Sequence, residues 1–138
     1  MGYRTLGRTG LEISEVALGG GSLGPTGSNL IRAALSQGIN LIETSSNYRR
    51  AVAETAIGDT VKSMGVRDKV YILTKTGNLE GQMTRLIDGP ASELEKTVRE
   101  ELEGSLQRMQ TDYVDIFLCP LRRRQPQRGH RPSTPGDP

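Results

Sequence analysis

From Gly38 to Lys75 the chain reads GINLIETSSNYRRAVAETAIGDTVKSMGVRDKVYILTK, and this stretch decides the fold. Ile39-Asn40-Leu41-Ile42 is a short apolar run that stops at Glu43, and Val70-Tyr71-Ile72-Leu73-Thr74 is a second that stops at Lys75. Short β-branched runs ending in polar residues are the mark of buried parallel strands. Between them the spacing predicts a helix from about Ala51 to Met64, with Ile57, Val61 and Met64 inward and Gly65 beyond its end.

The same alternation extends in both directions. Val16-Ala17-Leu18 and Tyr113-Val114-Asp115-Ile116-Phe117-Leu118 are two further strand-like runs. A helix is expected from Ser28 as N-cap to a stop at Gly38, burying Leu30, Ile31, Ala34 and Leu35. A third begins at a capping box of Ser92 and Glu95, with Leu94, Val98, Leu102, Leu106 and Met109 recurring every three or four residues. Ahead of these, Tyr3 to Ile13 reads as a hairpin turning at Gly7 to Gly10. The order β-α-β-α-β-α-β implies a parallel sheet with right-handed crossovers. Two α/β architectures satisfy it, an open doubly wound sheet and part of a (β/α)8 barrel, and in both the reactive groups belong at the carboxyl ends of the strands.

Composition bounds the rest. The 138 residues are 34% hydrophobic and 25% charged, without the apolar run of about 18 to 20 residues that a spanning helix needs. A cytoplasmic address and no membrane partner are expected. One cysteine, Cys119, and one histidine, His130, offer no metal-binding spacing, so no metal is expected. Residues 1–120 carry 13 Lys and Arg against 15 Asp and Glu, whereas residues 121–138 carry five Arg against one Asp and hold four of the seven prolines. The expected organisation is therefore a body over 1–120 and a basic, Pro-rich, disordered tail over 121–138. Arg122, Arg123, Arg124, Arg128 and Arg131 have no interleaved aromatic residue on which bases could stack, so no nucleic-acid partner is expected.

At the strand ends, Gly19-Gly20-Gly21-Ser22-Leu23-Gly24 formally matches a dinucleotide fingerprint, and Glu43 follows 19 positions after Gly24. Pro25-Thr26-Gly27 intervene before any helix, so the stretch is read as a turn rather than a helix-borne phosphate site. Glu43, Tyr48 and Lys75 say more jointly than singly. Carbonyl reduction needs a proton donor, and a phenol, ordinarily of pKa near 10, is a poor one until an ammonium stabilises its phenolate. A carboxylate would hold that ammonium in place.

On these residues the chain resembles the aldo/keto reductases. Tyr3 to Leu11 is similar to that family's N-terminal hairpin, and Gly38 to Thr44 with Tyr48 to its "GIN-F-D-T-A…Y" segment. Ala53 to Gly58 resembles its "SE..IG" helix, Arg67 to Lys75 its lysine strand, and Leu106 to Asp115 its "SL.RLQ-T-DY-D" signature. The resemblance implies a partial (β/α)8 barrel of about four strands and three helices behind a hairpin. It further implies an NADPH-dependent oxidoreductase that reduces aldehydes or ketones, a small carbonyl compound being the substrate. Tyr48 would be the general acid and Lys75 its activator, with Glu43 where the family has Asp. NADPH would be contacted by Gly20, Gly21 and Glu43.

The departures are specific. The family's histidine is missing after the fourth strand, where Cys119 and Pro120 stand, and Arg49 replaces the glycine that usually follows the tyrosine. A whole barrel needs roughly 250 residues, and the change of composition at Leu121 is expected to mark a truncated or frame-shifted product. Its activity is expected to be weak or absent, because the family's other half-barrel supplies most of the NADPH pocket. The alternative reading is a catalytically inactive half-barrel that persists through a partner or by self-association across its unpaired sheet edges.

Overall fold

The computed structural model describes residues 1–77 and 89–120; the tail over 121–138, including His130, lies outside them. Strands β1 (Tyr3–Thr5) and β2 (Glu12–Ser14) form an antiparallel hairpin. Its tight turn uses the left-handed backbone of Gly7 and Gly10, at φ 53° and 77°. There follow β3 (Leu18–Gly19), α1 (Ser28–Ser36), β4 (Leu41–Glu43), α2 (Val52–Met64), β5 (Tyr71–Lys75), α3 (Ala91–Met109) and β6 (Ile116–Leu118).

Strand order separates the two architectures left open by the sequence. The four parallel strands pair in the order β3-β4-β5-β6, each beside its predecessor in the chain. A doubly wound sheet reverses direction at a switch point. Here there is none, and the sheet is the opening arc of a (β/α)8 barrel. Right-handed crossovers then place every helix on one face, where Ile42 and Ile72 pack with Ile31, Ala53, Ile57, Val61 and Met109 in a single buried cluster.

Conserving that packing requires close approach at Gly58. A Cβ there would lie 2.5 Å from the backbone of Met109, so α2 and α3 touch through bare main chain. Beside this contact Glu54 is wholly buried, with one oxygen accepting from Thr74 at 2.7 Å and the other from Arg108 at 2.7 Å. At the amino end of the sheet, Asp115 Oδ2 accepts from the Ile72 amide and from Arg67, whose guanidinium covers the Tyr113 ring. Asn40 ties the hairpin on through the Ser14 amide and the Glu12 carbonyl.

Several expectations are corrected. Val16 is 55% exposed and lies in a bend, so the first barrel strand begins at Leu18; the Ser14 hydroxyl holds that bend through the Val16 carbonyl. Ser28 is the first helical residue rather than the N-cap, because the Gly24–Gly27 turn already has helical backbone at Gly27 and its carbonyl takes the Ile31 amide. Leu30 faces out, 52% exposed. The Ser92/Glu95 capping box does not form: Pro90, extended at ψ 134°, opens α3 by presenting its carbonyl to the amides of Glu93 and Leu94. Only Ser105 and Met109 of that helix are buried, so Leu94, Val98 and Leu102 are half-exposed.

Candidate active site

Glu43 is the last residue of β4 and Lys75 the last of β5, so adjacent parallel strands deliver both to the same rim. Tyr48 reaches them from the β4–α2 loop. The Lys75 ammonium donates to Glu43 Oε1, to the Tyr48 hydroxyl at 3.0 Å and to the Thr44 carbonyl at 3.2 Å. The Tyr48 hydroxyl in turn donates to the same Glu43 oxygen at 3.1 Å. Carboxylate, phenol and ammonium therefore form a closed triangle. Lys75 and Glu43 keep 21% and 32% of their side-chain surface exposed, so water and a small ligand can reach them.

Two opposed effects act on Lys75. Partial burial lowers its pKa, while the hydrogen bonds it donates to Glu43 and Tyr48 and the charge on those groups raise it, and the second group wins. The ammonium is held charged well beyond neutral pH.

The loop that aims Tyr48 is strained. Arg49, Arg50 and Ala51 all have left-handed backbone, at φ 48°, 55° and 70°. Each such non-glycine residue costs roughly 1–2 kcal/mol. The turn carries the chain from the rim into α2 and leaves Tyr48 outside the helix, its amide on the Ser45 carbonyl at 3.1 Å.

Gly20 and Gly21 lie beside this triangle for different reasons. The Gly20 amide donates to the Glu43 carbonyl at 2.7 Å, and a Cβ there would meet that oxygen at 2.7 Å and Thr44 Oγ1 at 3.0 Å. Gly20 is thus required by the packing of β3 on β4. A Cβ at Gly21 would find only the Tyr48 ring, at 3.9 Å, so this position is open toward the site. As expected from the intervening Pro25, Thr26 and Gly27, the segment closes as a turn through the Leu23 amide on the Gly20 carbonyl rather than opening a helix.

The residues present fit the sugar end of a nicotinamide nucleotide. Glu43 Oε1 takes both neighbours, so among the described residues Oε2 has no hydrogen-bond partner and can accept a ribose hydroxyl. Thr44 Oγ1, buried next to Gly20, likewise has no partner among them.

Among the described residues, the fourth corner of the rim has no imidazole. Cys119 and Pro120 follow β6, and Cys119 Sγ sits 3.9 Å from the Thr76 hydroxyl. Proline has no N–H to offer a carbonyl oxygen. Among the described residues no group of three His, Cys, Asp or Glu side chains could hold a metal ion, and no helix is long and apolar enough to cross a membrane.

Sequence reasoning missed two supports of the site. Glu101 on α3 accepts from the Ser46 hydroxyl at 2.8 Å and the Gly77 amide at 3.2 Å, and Glu54 secures Thr74, the neighbour of Lys75. Both carboxylates meet partners 20 or more residues away, and nothing local marks them.

Fold and site together define an incomplete βα-barrel whose rim carries a carboxylate–phenol–ammonium triangle. The family model for "Aldo/keto reductase family" matches residues 16–121, and the chain belongs to that family. It is 36% identical over 126 residues to aldo-keto reductase YhdN of Bacillus subtilis, a match covering 85% of this chain and 37% of that protein. The holo form of an aldo-keto reductase from Bacillus halodurans superposes with a TM-score of 0.71 at 27% identity, over 86% of this chain and 40% of that one. An aldo/keto reductase from Klebsiella pneumoniae in complex with NADP and acetate gives 0.63 at 25%, over 80% of this chain and 36% of that one. The chain thus spans well under half the length of these relatives.

Proposed function

We propose that this chain carries the proton-handling part of an NADPH-dependent reductase of aldehydes or ketones. The observation that carries this reading is the closed triangle of Glu43, Tyr48 and Lys75 at the rim. NADPH, when bound, supplies the hydride that adds to the carbonyl carbon; the complex of the Klebsiella relative with NADP supports that choice of cofactor. Glu43 Oε2 and the backbone at Gly21 would hold its ribose end, with Gly20 letting β3 lie close enough to β4 to shape that site.

Tyr48 donates its hydroxyl proton to the carbonyl oxygen as negative charge builds there. Lys75, 3.0 Å away, stabilises the phenolate left behind. Glu43 keeps the ammonium pointed at the phenol, at the end of a side chain one methylene longer than the family's aspartate. Among the described residues the β6 corner offers the substrate oxygen no second hydrogen bond, because Pro120 stands there without an N–H. Reduction by the 138-residue polypeptide is therefore slow.

The test is NADPH oxidation with a panel of small aldehydes at high protein concentration, alongside NADPH fluorescence. Binding with slow turnover is expected, and Tyr48→Phe should return turnover to background, since a positioned general acid contributes about 100-fold or more. Turnover that survives Tyr48→Phe overturns the assignment of the acid. Absence of both binding and turnover overturns the reductase reading for this polypeptide.

A further inference from the structure

We propose that Glu101, reaching back from α3, is a positioning residue that locks the loop carrying Tyr48 to the strand end carrying Lys75. The inference rests on the reading of those two as the proton-handling pair. Glu101 touches neither the phenol oxygen nor the ammonium in the described contacts. Its Oε2 instead accepts from the Ser46 hydroxyl at 2.8 Å and from the Gly77 amide at 3.2 Å. Ser46 stands two residues before Tyr48, and Gly77 two residues after Lys75.

One carboxylate oxygen therefore bridges both active segments close to the groups they carry. Further back along the strands the Thr44 amide reaches the Leu73 carbonyl at 2.8 Å, and Lys75 itself bonds Tyr48 and the Thr44 carbonyl. At the loop, however, the Ser46 amide and the Ser45 hydroxyl reach the Lys75 carbonyl only at 3.4 Å, past the usual range for such bonds. Bonds to a charged acceptor are also the stronger kind. The packing at Gly77 points the same way. A Cβ there would stand 2.8 Å from Ser46 Oγ and 3.7 Å from Glu101 Oε2, so any side chain would wedge the clamp open. α3 can act as the fixed arm because its C-terminal end is seated on α2 at Gly58 and Arg108 is tied to the buried Glu54. A drift of about 1 Å between two reacting groups can cost on the order of 100-fold in rate, so a bond that touches neither group still controls their work.

The experiment follows the Lys75 side chain by NMR through an alkaline titration of the full 138-residue chain. Tyr48→Phe should lower the Lys75 midpoint, because it removes the hydroxyl that the ammonium donates to at 3.0 Å. The size of that displacement reports how firmly the pair is engaged. On a Glu101→Leu background it should shrink by roughly half or more, as expected when a shared tie is removed from a coupled pair. Glu101→Gln, which keeps a carbonyl acceptor, should preserve most of it, and Ser46→Ala should fall between. A folded Glu101→Leu protein with the full displacement overturns the proposal, because a purely structural role lowers stability without altering that coupling. If Glu101→Leu fails to fold, Ser46→Ala and Gly77→Ala decide, and an unchanged displacement in both overturns it. The titration needs neither cofactor nor turnover, so a failed reductase assay and a failed clamp are told apart.

Discussion

The two faces of the β4–β5 region handle a carboxylate in opposite ways. On the helix side, Glu54 gives one oxygen to Thr74 and the other to Arg108, and all three residues lie inside regular helix or strand. At the rim, Glu43 loads Lys75 and Tyr48 onto a single oxygen, Thr44 keeps an unpartnered hydroxyl, and three consecutive residues are left-handed. A separate partner for each carboxylate oxygen serves packing. Concentrated partners, a spare acceptor and stored strain mark a place shaped by something other than stability.

The largest effect should come from unpairing the helix side. Arg108→Met leaves Glu54 buried beside Thr74 alone, and breaking such a pair typically costs ~3 kcal/mol or more. Urea unfolding monitored by circular dichroism measures it; a loss no larger than that of an exposed ion pair would show that the two faces do not differ as described. A smaller effect of opposite sign is expected at the rim. Arg49→Gly and Ala51→Gly each relieve a left-handed non-glycine backbone and should stabilise by about 1 kcal/mol. Thermal unfolding checks this, and lowered midpoints for both would mean the turn is not under strain.

The smallest effect concerns Lys75. Its folded-state pKa lies above the ordinary value, so the stability it contributes is fully present below about pH 10 and is lost as pH rises through the higher folded-state value. Partial exposure keeps this contribution within about 1 kcal/mol. The wild-type advantage over Lys75→Met should be flat from neutrality to mild alkali and then decline. A decline on acidification through the lysine-charged range instead would reverse the assigned sign.

The strands and the convergence of Glu43, Tyr48 and Lys75 were legible because their signals are local. Ile42 and Ile72 sit in short apolar runs, and Glu43 and Lys75 are the polar residues that end them. Barrel and doubly wound sheet share that pattern, and only the pairing of β3 with β4 and of β5 with β6 tells them apart. Helix starts misled for a physical reason. Ser28, Ser92 and Glu95 are good capping residues, yet the chain reaches each helix through a turn, at Gly27 and Pro90, whose backbone already meets the first amides. The clamp at Glu101 and the Glu54 network were illegible, since a lone glutamate on an amphipathic helix looks solvated until a distant loop is folded against it. The tail over 121–138 lies outside the described residues.

Nearest-neighbour strand order also has a temporal side. Leu18 meets Ile42, Ile42 meets Ile72, and Leu73 meets Ile116, so each strand added to the parallel sheet after β3 pairs with the strand made just before it on the ribosome. Each addition closes a loop of a few dozen residues onto an edge that already exists, and the closure entropy grows only slowly with loop length. Glu43, Tyr48 and Lys75 have all been synthesised by residue 75, whereas Glu101 emerges 26 residues later. The order of synthesis therefore completes the trio before the residue that bridges its two segments has been made.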